Sequence, residues 1–119
     1  MASRLTPLER ALRAVTEDEW RDQVVDAAHT FGWSVAYFRP GQTNHGWRTP
    51  VGADGKGWPD LTLVRERVVF AELKREQGEL EPEQELWRER LLGACQEWHL
   101  WRPSDMDEVI AVLRRYGMP

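Results

Sequence analysis

The chain has 119 residues, 41% of them hydrophobic and 30% charged, which supports one globular domain with a single core but not two. No apolar run approaches the ~20 residues of a membrane span, and a single cysteine, Cys95, excludes an intramolecular disulfide framework. The formal net charge of −4 announces no global attraction to nucleic acid, so such a partner has to be met by a local basic patch or through metal ions.

Thr6-Pro7-Leu8-Glu9 reads as a helix start, with Thr as cap, Pro at the first helical position and Glu three residues after the cap. Leu8, Ala11, Leu12 and Val15 recur at helical spacing behind it. Thr16-Glu17-Asp18-Glu19 repeats the capping pattern and opens a second helix near 17–31, with a stripe of Trp20, Val24, Ala27, Ala28 and Phe31 and a stop at Gly32. "WSVAYF", 33–38, is a β-branched and aromatic strand. About twenty residues of Gly, Pro, Asn and Thr follow without periodicity, a length that in compact domains marks a functional or mobile loop. "DLTLV" and "VVFAELK" form a hairpin around Arg65-Glu66-Arg67. "PEQELWRERLLGA" is a helix with Leu86, Leu91 and Leu92 on its buried side, "EWHLWR" a further strand, and Ser104 opens a last helix with Met106, Val109, Ile110 and Leu113 inside. The order predicts a single α/β sandwich with a central mixed sheet flanked by helices. Residues 1–15 form an N-terminal helical extension and 16–119 the core. Trp33, Trp87, Trp98 and Trp101 are read as core residues.

The hairpin carries the functional signal. With a three-residue turn, Val64 pairs with Val68, and antiparallel counting sets Asp60 directly across from Glu72. Side chains so opposed have Cβ atoms ~4.5–5.5 Å apart, where like charges destabilise. Strand alternation puts Phe70, Glu72 and Lys74 on one face and Val69, Ala71 and Leu73 on the other. The second set is an ordinary core face; the first brings two carboxylates and an ammonium to one end of the hairpin. Mg²⁺ commonly takes one or two carboxylates and keeps several waters, and an adjacent lysine suits hydrolysis of a phosphodiester. The plain alternative is a salt-bridged exit of the strand into solvent, and a turn of two or four residues sends Asp60 and Glu72 to opposite faces.

"GWPDLTLV", "VVFAELK" and "LEPEQELW" together resemble the PD-(D/E)xK nuclease superfamily, and within it the small stand-alone members of the VRR-NUC family found in phages and bacteria. The similarity runs from about Glu19 to the last helix, including "GACQEWHLWRPSDMDEVIAVL". It implies a restriction-endonuclease-like fold in which Asp60, Glu72 and the backbone carbonyl of Leu73 ligate Mg²⁺ or Mn²⁺. Lys74 positions the attacking water, and Gln84 supports the site. An acid on the first core helix joins the metal cluster in the wider superfamily, and Glu19 matches it, with Asp22 and Asp26 as fallbacks and Gln23 on the same face. Glu19 also stands where a capping box wants a glutamate.

The function implied is a metal-dependent DNA endonuclease, acting as a homodimer on branched DNA such as four-way junctions or flaps, in the cytoplasm of a bacterium or of a phage host. The extension near 7–15 is a candidate contributor to the dimer. Alternatives are a catalytically inactive nucleic-acid-binding or protein-interaction module on the same fold, and an RNA-directed nuclease. Arg39, Arg48, Lys56, Arg75 and Arg88 are candidate phosphate contacts. Trp47 and Trp58 have three readings: stacking on unpaired bases, closing the loop over the site, or a dimer contact. His45 in "TNHGW" is not assigned as a ligand.

Overall fold

A computed structural model describes residues 4–38, 41–43, 46–48 and 51–117, the two strands within 41–48 by backbone alone. The elements run α1 (Pro7–Ala14), α2 (Glu17–Thr30), β1 (Ser34–Tyr37), β2 (Gly41–Thr43), β3 (Gly46–Arg48), β4 (Leu61–Val64), β5 (Val68–Leu73), α3 (Pro82–Gly93), β6 (Glu97–Trp101), a 3-10 turn (Pro103–Asp105) and α4 (Met106–Arg114). Both threonine caps form. Thr6 accepts from the Glu9 amide and Thr16 from the Glu19 amide, each at 3.1 Å, while the two glutamates accept the cap amides in return.

Four strands make one sheet in the order β1-β4-β5-β6. β1, β4 and β5 run antiparallel, and α3 carries the chain across to β6, parallel to β5. The odd-numbered residues of β5 (Val69, Ala71 and Leu73) join Leu61 and Leu63 against Trp20, Val24 and Ala28 of α2 and Val109, Val112 and Leu113 of α4. On the opposite face Phe70 meets Trp58 edge-on, and Trp58 meets Trp87 of α3. Helices thus cover both faces, and the charged end of β5 lies under α3.

The structure departs from the sequence reading in three places. The long loop is not structureless: β2 and β3 pair as a hairpin, Gly41 with Arg48 through Thr43 with Gly46. In α3 only Leu91 is buried, whereas Leu86 and Leu92 are exposed. The inward face is the i, i+3, i+7 set Gln84, Trp87 and Leu91, and Leu86 and Leu92 each stand about 100° round from it. Trp87 and Trp98 are half-buried, not core, unlike Trp33 and Trp101. α1 buries none of its residues, and Leu8 is 67% exposed.

Candidate active site

The Arg65–Glu66–Arg67 turn fixes the register that the site depends on. Arg65 N–H donates to the Arg67 carbonyl at 3.0 Å, and the ladder runs from Val64 with Val68 to Leu61 with Ala71. One further step sets Asp60 against Glu72. Asp60 lies just outside β4, after a fully buried Pro59, and its Oδ2 accepts the Leu73 amide at 2.8 Å. That bond ties the carboxylate to the end of β5.

Glu72 is 1% exposed. Burial, then the neighbouring Asp60 as hydrogen-bond partner and as charge, pushes its carboxyl up to about 10, against the pull of Lys74. Its Oε1 accepts from Gln84 Nε2 at 3.1 Å. Its Oε2 is buried and meets no donor among the described residues, so the hydrogen bond with Asp60 forms only when one of the two carboxyls carries a proton. Between two carboxylates only a proton or a cation satisfies such an oxygen. Gln84 performs two tasks from the first turn of α3, since its Oε1 accepts the Glu81 amide at 2.8 Å while its amide nitrogen donates to Glu72.

The acid that α2 brings to this end of the sheet is Glu17, not Glu19. Glu17 is exposed as a residue, yet partial desolvation and then the charge of Asp60 raise its carboxyl from its ordinary value, with Lys74 opposing. Glu19 is instead held low by its hydrogen bonds to the Thr16 backbone and side chain, so its carboxylate is occupied as a cap. Asp22 is an exposed partner of Arg21 at 3.4 Å, and Gln23 and Asp26 face solvent. A signal for Glu17 was present in the sequence: it stands three before Trp20 and seven before Val24, in line with the helix's buried stripe at its exposed end. One carbonyl aligns the helix with the strand. Trp101 O accepts from Trp20 Nε1 at 3.0 Å and from the Lys74 amide at 3.1 Å, holding α2, the end of β5 and the end of β6 together.

The approach to Asp60 is pinned on α3. Trp87 Nε1 donates to the carbonyls of Asp54 and Lys56 at 3.1 and 3.0 Å, and Lys56 pairs with Glu83 at 3.3 Å. Gly57 has φ +86°, and a Cβ there would lie 2.5 Å from the Glu83 carbonyl carbon, so neither the backbone conformation nor the space admits a side chain. Between this loop and the site lies a cleft of about 230 Å³ that reaches Asp60 and Gln84.

The basic candidates are scattered. Arg75 donates to the Arg13 carbonyl at the end of α1 at 3.1 Å, and Arg88 lies over the Trp98 ring at 5.7 Å. Lys56 is the one that borders the cleft. Arg48 and Trp47 are placed by backbone only, in β3, and Arg39 and His45 lie outside the described residues. Trp58 is packed between Phe70 and Trp87, at 5.5 and 4.9 Å between ring centres, which fits the loop-closing reading.

The donor set suits a hard divalent cation in part. No group of three or more His, Cys, Asp and Glu is drawn close enough to hold an ion among the described residues. A pair of carboxylates is nonetheless what Mg²⁺ commonly takes from protein, and the unpartnered Glu72 Oε2 beside Asp60 is an oxygen such an ion satisfies.

The chain is thus an α/β sandwich with a mixed sheet, two carboxylates at the mouth of a hairpin and a lysine two residues on. Among solved structures, the chain matches one described as "VRR_NUC domain", with a TM-score of 0.61 and 19% identity over 82% of this chain and 97% of that one. The fold is therefore that of a VRR_NUC domain. No protein-family model and no curated protein matches the sequence.

Proposed function

We propose that the protein is a divalent-metal-dependent nuclease that hydrolyses phosphodiester bonds in DNA. The observation that carries the proposal is Glu72, a buried carboxylate with an oxygen lacking any donor, held beside Asp60 with Lys74 and Glu17 at the same end of the sheet. Burial and Asp60 keep Glu72 in its neutral form until a cation joins the pair, and a VRR_NUC fold supplies the context in which that cation serves catalysis. Asp60 and Glu72 hold the ion, with Glu17 the nearest further acid. When bound, Mg²⁺ or Mn²⁺ lowers the pKa of a water and stabilises the charge developing on the phosphate. Lys74 orients the attacking water, Gln84 fixes the Glu72 carboxylate in place, and the Leu73 amide fixes Asp60.

The finer parts rest on the resemblance of the quoted motifs. The substrate is branched DNA, a four-way junction or a flap, and the active form is a homodimer. α1, which buries nothing in the protomer and presents Leu8, contributes to the contact. The test compares wild type with Lys74→Ala on labelled junction, flap, duplex and single-stranded DNA and matched RNA, with Mg²⁺, Mn²⁺ or EDTA. Metal-dependent cutting lost in the variant supports the reading, and the preferred strand names the substrate. Binding without cutting, unaffected by the substitution, refutes it.

A further inference from the structure

The cleft beside Asp60 is lined by Phe38, Val51, Lys56, Trp58, Asp60 and Gln84. Two of its walls are apolar side chains left in solvent: Phe38 is 62% exposed and Val51 59% exposed. Neither belongs to the buried cluster. The third wall, Trp58, is held edge-on by Phe70 and Trp87, and the loop behind it is fixed by the two Trp87 hydrogen bonds and the Gly57 contact. An exposed aromatic ring and a fixed apolar wall line one cleft that reaches Asp60, and together they make a built slot. Lys56, with its side chain 78% exposed, supplies a cation at its border even while paired with Glu83.

We infer that this cleft receives an unpaired nucleobase, belonging to a nucleotide next to the phosphate held at Asp60, Glu72 and Lys74, with Phe38 as its stacking platform. The inference rests on the nuclease reading. The cleft shares Asp60 and Gln84 with the site, so a nucleotide whose phosphate lies at the site can place its base in it. A base attached to that sugar-phosphate has the flat apolar faces that Phe38 and Val51 match, and stacking on an aromatic ring tolerates any base. A paired base keeps both faces stacked within the duplex and has none to offer, so the slot selects for a nucleotide unpaired at or beside the cut. Phe38 is thus a specificity-determining residue, and the substrate class it selects has at least one unpaired nucleotide at the site, which favours the flap over a fully paired four-way junction.

The test uses full-length Lys74→Ala protein, with Mg²⁺ and with EDTA, and flap oligonucleotides carrying 2-aminopurine or an abasic site at successive positions around the cut mapped with wild type. The expected result is a fluorescence change at one position that disappears with Phe38→Ala and persists with Phe38→Trp. Abasic substitution there weakens binding about tenfold, and Phe38→Ala adds nothing on the abasic strand. In the Lys74-containing protein, Phe38→Ala raises KM more than it lowers kcat on flaps. If Phe38→Ala weakens intact and abasic strands equally, or leaves both within twofold while wild type cuts normally, the base slot is overturned and the nuclease reading survives. If wild type neither binds nor cuts, both fall.

Discussion

Glu72 is the residue on which most of the functional reading turns. Its carboxyl is buried, one oxygen has no donor among the described residues, and Asp60 raises it further. A neutral isostere removes that penalty. Glu72→Gln is therefore expected to be at least as stable as wild type in EDTA, by up to about 2 kcal/mol. Addition of Mg²⁺ should raise the wild-type melting temperature and leave the variant's unchanged. Thermal melts with and without the ion check this, and an equal Mg²⁺ shift in both proteins would remove Glu72 from the ion site.

The two acids of α2 separate in the same way. Glu19 completes the capping box of the helix, so Glu19→Ala should lower the melting temperature while cutting per folded molecule persists. Glu17→Gln should leave the melting temperature within a degree or two and lower cutting at least tenfold. Parallel melts and single-turnover assays on the two variants decide it. The sequence made this pair hard to read, because a capping box and an acidic ligand draw on the same residue type within one turn. Only the position of each residue relative to Trp20 tells them apart.

At the scale of elements, the β4–β5 turn does more than connect strands. Arg65 donates to the carbonyls of Phe31 and Leu113, each at 2.9 Å, closing the ends of α2 and α4. Arg67 reaches Val112 and Arg115 carbonyls and Glu97. Cations at helix C-termini are favourably placed. Glu66 holds both arginines, and hydrogen bonding from Arg65 keeps its carboxyl down at about 2. A carboxyl lowered on folding contributes stability above its unfolded value, near 4.5, and loses that contribution as pH falls toward 2. Urea titrations between pH 6 and 2 should show wild type losing stability over that lower window, with Glu66→Gln less stable at pH 6 and flatter below it.

The same turn shows why the register was legible. Three charged residues between two alternating apolar runs left one pairing that kept Val69, Ala71 and Leu73 on the core side, and a slip of one residue would have buried Lys74. The sheet, the helices and the Asp60–Glu72 juxtaposition were accessible for that reason. The β2–β3 hairpin was not, since Gly41–Arg48 has no alternating apolar pattern to announce it. The true inward face of α3 was hidden too, because its anchors are Gln84 and Trp87, and leucine spacing alone pointed elsewhere. Gly57 was visible as a glycine but not as an obligatory one. Gly57→Ala meets both φ +86° and a contact at 2.5 Å. It should cost about 2 kcal/mol or more and, by displacing the approach to Asp60, reduce cutting further than the stability loss explains. An alanine variant with wild-type melting and activity would show that the loop is not fixed on α3.

At the scale of the molecule, the proposed function asks a chain with net charge −4 to bind a polyanion at the end of the sheet that carries Glu17, Asp60 and Glu72. The attraction that basic proteins gain by releasing counterions is small here, and the acidic end of the sheet repels phosphate until a cation offsets it, although Glu72, with its carboxyl pushed up to about 10, adds no charge of its own at neutral pH. Binding should therefore depend on the ion as much as catalysis does. In EDTA the wild type should bind flap DNA weakly, and Mg²⁺ should tighten binding by tenfold or more in the non-cutting Lys74→Ala protein. An Asp60→Asn, Glu72→Gln double variant, which cannot cut, should bind in EDTA several-fold tighter than wild type and no longer respond to Mg²⁺. Anisotropy titrations at several salt concentrations distinguish this from a simple change in charge. Neutralising two surface acids remote from the cleft, Glu89 and Glu108, both exposed on α3 and α4, changes the net charge at least as much and should leave the Mg²⁺ response intact. If that control also loses the response, the ion acts as general screening, and the paired carboxylates are not its site.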